Sequence, residues 1–412
     1  MASEIVLVNV SGEDQPGLMA MLTSTLAQHQ VRVLDVGQAV IHDELNVGML
    51  VQIMDSGDTA GVLKDLQFKT RELGTAVRFT PISEAEYHDW VASQGKPRYI
   101  VTLLAAGFTG EQLAAVTHVV HSYGLNIDSI RRLSGRIPLT RHSGHARTSI
   151  EMSLRGTVPD AEALKAELME AADRLEFDFS VQEDTVYRRN RRLVAFDMDS
   201  TLIDAEVIDE LAKVHGVGAE VAAITERAMR GELNFRESFR ARAALLNGLS
   251  EAALRQVAES VTLNEGARRL IKALKTFGYK TAIISGGFQY VGEYLQRELG
   301  IDYVFANELV IRDGVMTGEV AGGIVDADRK AELLLEIARR ENINRQQTIA
   351  LGDGANDLPM LSAAGLGIAY HAKPLVRETA SHAISNFGLD SVLYLLGFSD
   401  RDIETALGGS TK

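Results

Sequence analysis

The feature that most restricts the fold lies in the C-terminal half, where short apolar runs end abruptly in polar clusters. Leu193-Val194-Ala195-Phe196 runs directly into Asp197-Met198-Asp199-Ser200-Thr201-Leu202. Thr281-Ala282-Ile283-Ile284 ends at Ser285-Gly286-Gly287, and Thr348-Ile349-Ala350-Leu351 ends at Gly352-Asp353-Gly354-Ala355-Asn356-Asp357, with another apolar run at 366–370. Runs this short read as buried strands. Helical spacing separates them at 265–277, 290–299 and 329–341. Strands alternating with helices imply a parallel sheet, whose ligands sit beyond the carboxyl ends of the strands. The polar clusters fall at those ends.

Asp197, Asp199, Asp353 and Asp357 would then converge. Two like charges at 4 Å cost about 4 kcal/mol even at an effective dielectric near 20. A hard divalent cation relieves this, and magnesium favours one or two carboxylates, water and phosphate oxygens. Lys330 adds a second positive charge. Ser285 and the amides of Gly286 and Gly287 can donate to phosphate oxygens, helped by the helix N-terminus that follows. Positioning and charge stabilisation are most of what phosphoryl transfer needs. Carboxylates at i and i+2 on a strand face opposite ways, but here the strand has just ended, so the second can curl back beside the first. One can attack phosphorus. The other can protonate the leaving alkoxide and then deprotonate water, general acid–base help of roughly 10²–10⁴-fold.

The first half reads as two copies of a β-α-β-β-α-β order, the ferredoxin-like arrangement. In the first, over 1–86, strands are predicted at 5–10, 31–40, 47–53 and 76–80, with helices at 18–29 and 60–73 after the turn Asp14-Gln15-Pro16-Gly17. In the second, over 97–184, strands fall at 99–104, 125–130, 149–154 and 177–181, with helices at 111–123 and 160–175 and a polar loop at 134–147. The copies are offset by roughly 95 residues, a duplicated domain rather than a solenoid of short repeats. Both resemble the ACT domain, a regulatory module that binds amino acids. Gly12-Glu13-Asp14-Gln15-Pro16-Gly17-Leu18 carries the likeness in the first copy, while Gly107-Phe108-Thr109 in the second lacks the Asp-Gln-Pro-Gly wording. The resemblance implies an effector site between paired copies, carried onto Gly12, Asp14, Gly107 and Asn126. The plainer alternative is that these glycines and the Asp serve turn geometry.

From about 193 onwards the chain resembles the haloacid dehalogenase superfamily, on four motifs in order: Asp-x-Asp-x-Thr at 197–201, Ser285, Lys330 and Gly-Asp-Gly-x-Asn-Asp at 352–357. The resemblance implies a Rossmann-like sheet over 185–412, with Asp197 as nucleophile and Asp199 as acid/base. It places Mg2+ on Asp197, Asp353 and the backbone carbonyl of Asp199, with Asp357 supporting that shell. Within the superfamily the wording is closest to the phosphoserine phosphatase family, which inserts a helical cap after the first strand; 205–263 is helical here. That likeness implies Glu206 for the substrate ammonium and Arg242 for its carboxylate. It implies Met229 and Phe235 as apolar shields, and Ser285, Gly286, Lys330 and Asn356 around the phosphate. The alternative is that Glu206 and Arg242 are surface charges and Met229 and Phe235 mere packing.

The implied activity is magnesium-dependent hydrolysis of phosphoserine, the last step of serine biosynthesis, with serine as feedback effector and a homodimer formed through the ACT copies. Two rivals stay open: a phosphatase or phosphotransferase for another small ester, and an amino-acid-sensing regulator with a vestigial enzyme half. The absence of cysteine excludes thiolate zinc sites, disulfides and a cysteine nucleophile. It fits a reducing cytoplasm. A net charge of −14 disfavours nucleic acid and anionic membrane. Neither a signal peptide nor an apolar stretch of membrane-spanning length is visible. The basic run Arg188-Arg189-Asn190-Arg191-Arg192 is expected to be a solvated linker or a docking surface. His118 with His121, and His142 with His145, have the i, i+3 spacing of metal ligands without an evident third ligand. Tyr87, Trp90 and Tyr99 are expected in domain packing, and 304–325, with Asp313-Gly314 as turn, as a scaffold hairpin.

Overall fold

The computed structural model describes residues 3–54, 58–136, 147–380 and 382–409. The chain divides into two compact units, Met1–Lys96 and Pro97–Lys412.

In the first unit, strands β1 (Ser3–Glu13), β2 (Arg32–Ile41), β3 (Glu44–Met54) and β4 (Ala76–Ile82) form an antiparallel sheet in the order β2-β3-β1-β4. Period-two alternation puts Val6, Val8 and Val10 of β1 and Val47, Met49 and Val51 of β3 on one face. There they pack against Leu18, Leu22 and Leu26 of helix Leu18–Gln28 and Val62 and Leu66 of helix Thr59–Glu72. This is the expected ferredoxin-like arrangement. A third helix, Glu84–Ser93, was not expected, although Ser83 and Glu86 form the reciprocal capping box that starts it. Tyr87 and Trp90 on this helix, 5.9 Å apart between ring centroids, line a cavity with Leu7, Leu50 and Ile82 of the sheet. Their packing is thus within the unit. Tyr99 packs instead against the core of the second unit.

The second unit begins with β5 (Arg98–Ala105), β6 (Asn126–Arg132), β7 (Thr148–Arg155) and β8 (Asp178–Glu183). Their order β8-β5-β7-β6 repeats that of β4-β1-β3-β2. Then come β9 (Leu193–Phe196), β10 (Lys280–Phe288), β11 (Tyr303–Arg312), β12 (Val315–Ala321), β13 (Thr348–Gly352), β14 (Leu366–Tyr370) and β15 (His382–Ile384). β11, β10, β9, β13, β14 and β15 are parallel neighbours. β9 and β13 are buried along their whole length, as a sheet covered on both faces requires.

The sequence places a boundary at 184/185, yet the described strands of this unit form one sheet of eleven. β15 pairs antiparallel with β8 at Ala383 and Phe179. Buried side chains secure the seam. Asp178 accepts from the backbone N–H groups of Ser385 and Asn386, both at 3.0 Å, and Gln182 Nε2 donates to Leu395 O at 2.8 Å. Of the basic run, Arg188 is buried and pairs with Glu151 at 2.5 Å. Arg191, also buried, donates to Gln346 O and Thr348 O. The docking alternative holds for these two.

Five helices lie between β9 and β10; Val207–His215, Gly218–Met229, Phe235–Ala244 and Glu251–Ser260 form the helical insertion, and Ala267–Thr276 leads back into the sheet. The hairpin β11–β12 turns at Asp313 and Gly314, both at positive φ. Its Met316 exchanges backbone hydrogen bonds with Gly248 and Leu249, so it props the helical insertion. No helix among the described residues is long and apolar enough to cross a membrane.

Candidate active site

β9, β10 and β13 deliver their polar ends to one cavity of about 190 Å³. It is lined by Asp197, Asp199, Ser285, Gly286, Gly287, Asp353 and Asn356 from the sheet side, and by Glu206, Phe235 and Arg242 from the helical insertion.

The loop after β9 turns back on itself as anticipated. Met198 O accepts from the N–H groups of Leu202 and Ile203 at 2.9 and 3.0 Å, and Ser200 sits at φ 57°, a strained left-handed conformation for a non-glycine residue. The turn buries Asp199 beside Asp197. Burial raises the Asp199 carboxyl well above its ordinary range, with Glu206 and Asp197 adding to the effect. Its Oδ1 has no hydrogen-bond partner among the described residues. Gly287 makes this close approach possible: a Cβ there would lie 2.6 Å from Asp199 Oδ2 and 2.8 Å from Met198 Cε.

Lys330 is fully buried, its Nζ 2.9 Å from Asp197 Oδ1 and 2.7 Å from Asp357 Oδ1. Burial alone would lower its pKa, but the two carboxylates outweigh it and raise it, so the ammonium stays charged. Asp353 accepts from Thr201 Oγ1 at 2.8 Å, and burial, with Asp197 nearby, pushes it up to about 6. Burial and Asp197 also raise Asp357, against the pull of Lys330. Carboxylates crowded this way invite a cation. One oxygen each from Asp197, Asp353 and Asp357 lies within 4.8 Å of the others, an all-oxygen set suited to a hard divalent ion.

Ser285 is buried, and its Oγ accepts from Gly287 N at 3.0 Å. Across the cavity, Ser200 Oγ donates to Glu206 Oε1 at 2.9 Å, and burial raises the Glu206 carboxyl. Burial lowers Arg242, whose Nε is buried without a partner among the described residues. Phe235 reaches over Gly286, where a Cβ would meet Phe235 Cζ at 2.8 Å.

Met229 stands apart. It ends helix Gly218–Met229, is 75% exposed and does not line the cavity. Four contributors were not singled out in the sequence. Ile208, Phe239 and Phe288 line the cavity. Buried Asn307 braces the Ser-Gly-Gly segment, which the structure places within β10 rather than after it, donating to Gly286 O and accepting from Val325 N, both at 2.8 Å. Nothing in their local sequence marks them. Thr201, by contrast, was visible in the Asp-x-Asp-x-Thr motif.

The four candidate effector positions are divided between the units. In the first, a Cβ on Gly12 would meet Thr75 Cγ2 at 2.9 Å, and Asp14 is exposed, its N–H donating to Asp43 O. In the second, Gly107 has open space around its Cα, and Asn126 donates to Asp128, which pairs with Arg155. His118 and His121 belong to no metal-competent group among the described residues. His142 and His145 lie outside the described residues, as does most of the 134–147 loop.

The phosphoserine phosphatase SerB2 of Mycobacterium tuberculosis is 40% identical over 98% of this chain and 96% of its own. The chain belongs to the phosphoserine phosphatase family. The Streptomyces coelicolor phosphoserine phosphatase is likewise 40% identical, over 97% of this chain and 94% of its own. The haloacid dehalogenase-like hydrolase family matches residues 194–362, and the ACT domain family matches residues 4–80. Among solved structures, a hydrolase of the haloacid dehalogenase family from Salmonella enterica serovar Typhi superposes with a TM-score of 0.60 at 33% identity, covering 72% of this chain and 98% of its own. The chain is therefore an enzyme of this family, carrying a haloacid dehalogenase-type hydrolase fold and an N-terminal ACT domain.

Proposed function

We propose that the enzyme hydrolyses O-phospho-L-serine to L-serine and phosphate through an aspartyl-phosphate intermediate. The observation that carries this reading is Arg242. Its Nε is buried and unpartnered among the described residues, in the cavity that also holds Glu206 and Asp197. A guanidinium without a protein partner suits a substrate carboxylate, bound in bidentate fashion, while Glu206 suits an ammonium. Phosphoserine carries both groups on one carbon.

In this reading an Asp197 oxygen attacks phosphorus as the bond to the serine oxygen breaks, and Asp199, whose carboxyl burial favours in its protonated form, gives its proton to that oxygen. Asp199 then takes a proton from water, the resulting hydroxide attacks the same phosphorus, and Asp197 is released with inorganic phosphate. Lys330, Ser285, Gly286 and Asn356 hold the phosphoryl oxygens, and Phe235 excludes water. Mg2+, held by Asp197, Asp353 and the Asp199 carbonyl with Asp357 in support, would supply positive charge to the phosphoryl group.

The domain reading is an ACT module over 1–86, a second over 97–184, and a phosphatase domain over 185–412 with its cap at about 205–263. The repeated strand order supports the second module. The modules would pair in a homodimer and bind serine as feedback inhibitor at Gly12, Asp14, Gly107 and Asn126, in a cytoplasmic enzyme. The test is phosphate release from phosphoserine, with and without Mg2+, titrated with serine. Turnover that requires Mg2+ and declines with added serine is expected. Equal turnover of a phosphate ester lacking the amino-acid end would overturn the substrate assignment, and indifference to serine would overturn the regulatory one.

A further inference from the structure

Asn264 lies outside the cavity lining, yet it is laced to the catalytic loop. Its side-chain amide donates to Thr201 O at 2.8 Å and Ser200 O at 3.3 Å, and its backbone N–H donates to Leu202 O at 3.0 Å. Asp204 N donates to Thr262 O at 2.9 Å, and Ile203 bridges to Leu263. The segment held this way contains the strained Ser200 and the buried Thr201, whose hydroxyl reaches Asp353. It also sets the aim of Asp199. Asp199 Oδ1 has no hydrogen-bond partner among the described residues, and the carboxyl accepts from the backbone N–H of Val207, so its aim follows from how residues 200–207 are held.

On its other side, this strip abuts residues 388–390. Leu389 N donates to Glu265 O at 2.7 Å. A Cβ on Gly266 would lie 2.6 Å from Asp390 N, and one on Gly388 would lie 2.7 Å from Glu265 O, so no side chain fits between the segments. Asp390 is buried and gripped by both terminal nitrogens of Arg147, with Nη2 to Oδ2 at 2.5 Å; Arg147 Nη1 also donates to Ser391 Oγ at 3.2 Å, and Arg269 stands 3.6 Å from Asp390. Arg147 immediately precedes β7 of the second ferredoxin-like module. Direct contacts thus run without a gap from that module to the loop carrying Asp199.

We infer that Asn264 is a positioning residue for phosphoryl transfer, and that through Arg147 and Asp390 the second ferredoxin-like module bears on it. This rests on the reading of Asp199 as acid/base. Asn264 faces backbone carbonyls and Arg147 a remote carboxylate, so losing either disturbs the aim of catalytic groups and leaves the substrate contacts of Arg242 and Glu206 in place. The effect belongs in kcat rather than KM.

The test is steady-state phosphate release by the full chain with Mg2+. Asn264→Ala should lower kcat by about 10- to 100-fold, the scale of a misplacement near 1 Å, with KM changed less than about threefold. Asn264→Gln, which keeps the donor, should recover most of the loss, and Asn264→Asp, which loses it, should not. Arg147→Gln should lower kcat in the parent but add little in the Asn264→Ala background, the signature of residues acting through one route. Thermal melts establish that each variant is folded, and Arg147→Lys, which keeps the charge, serves if Arg147→Gln does not fold. Unchanged kcat in Asn264→Ala, loss confined to KM, or multiplicative losses in the double variant overturn the inference. If the parent ignores phosphoserine but cleaves para-nitrophenyl phosphate, the substrate reading fails, and the same variants are compared on that ester.

Discussion

Lys330 places its ammonium 2.9 Å from Asp197 Oδ1, wholly out of solvent. The same ammonium lies 2.7 Å from Asp357 Oδ1, so one buried cation steadies two of the acids crowded at the ends of β9 and β13. Removing one partner of a buried ion pair leaves an uncompensated charge, which costs about 3–5 kcal/mol. Lys330→Met is therefore expected to lose turnover and also to lower stability on that scale. Urea denaturation followed beside phosphate release checks both. Lys330→Arg should not restore activity, because the site leaves no exposed margin for a planar guanidinium. A Lys330→Met variant of unaltered stability would contradict this account.

Arg242 supplies a test of specificity. Arg242→Lys keeps the charge but gives up the planar fork. KM for phosphoserine should rise by about tenfold or more, the loss of one charge-assisted hydrogen bond. Phosphate esters lacking a carboxylate should be cleaved at close to the parental rate. A panel of esters at matched Mg2+ reads the difference, and equal losses on all of them would assign Arg242 to folding rather than recognition.

Much of the site was legible because the chemistry sits where strands stop. Asp197, Asp199, Ser285, Asp353 and Asn356 each follow an apolar run, and a parallel sheet brings such ends together whatever the loops do. Lys330 was legible only through its motif, since nothing local tells that a helical lysine will be wholly buried. Met229 shows the limit. The resemblance implies it as an apolar shield of the site, but it ends helix Gly218–Met229 and is 75% exposed, which depends on how the inserted helices pack. Asn307, Phe239 and Phe288 act through tertiary contacts that carry no sequence signal. The seam at β15 was hidden for a similar reason. His382–Ile384 is three residues long, too short for periodicity to register, and its one pairing with β8 is long-range.

Gly287 packs its backbone against the Asp199 carboxyl. Gly287→Ala would set a Cβ 2.6 Å from Asp199 Oδ2 and 2.8 Å from Met198 Cε, so the ends of both side chains must shift. A fall in kcat of about 100-fold is expected, because displacement by 1 Å at a reacting group costs on that order. Thermal melting should shift by only a few degrees. Measuring both on one preparation separates a displaced acid from a disrupted core.

The seam between β8 and β15 also has a pH signature. His382 is buried there, its Nδ1 2.9 Å from Ser180 Oγ. Burial pushes its pKa from 6.5 down to about 3, and Lys165 and Arg191 push the same way. The folded chain therefore keeps this imidazole neutral over a range in which the unfolded chain binds a proton. Its contribution to stability is complete above about pH 6.5 and is lost as pH falls toward 3, with a slope of about 1.4 kcal/mol per pH unit for one proton. Between pH 6.5 and 5.0, above the range where most carboxylates titrate, the parent should lose about 1.6 kcal/mol from this group. His382→Gln keeps a hydrogen-bonding side chain but cannot titrate, so its stability should be flatter over the same interval. Urea denaturation of both proteins at the two pH values reads the difference directly. A parallel decline in parent and variant would mean that the imidazole is already protonated in the folded seam.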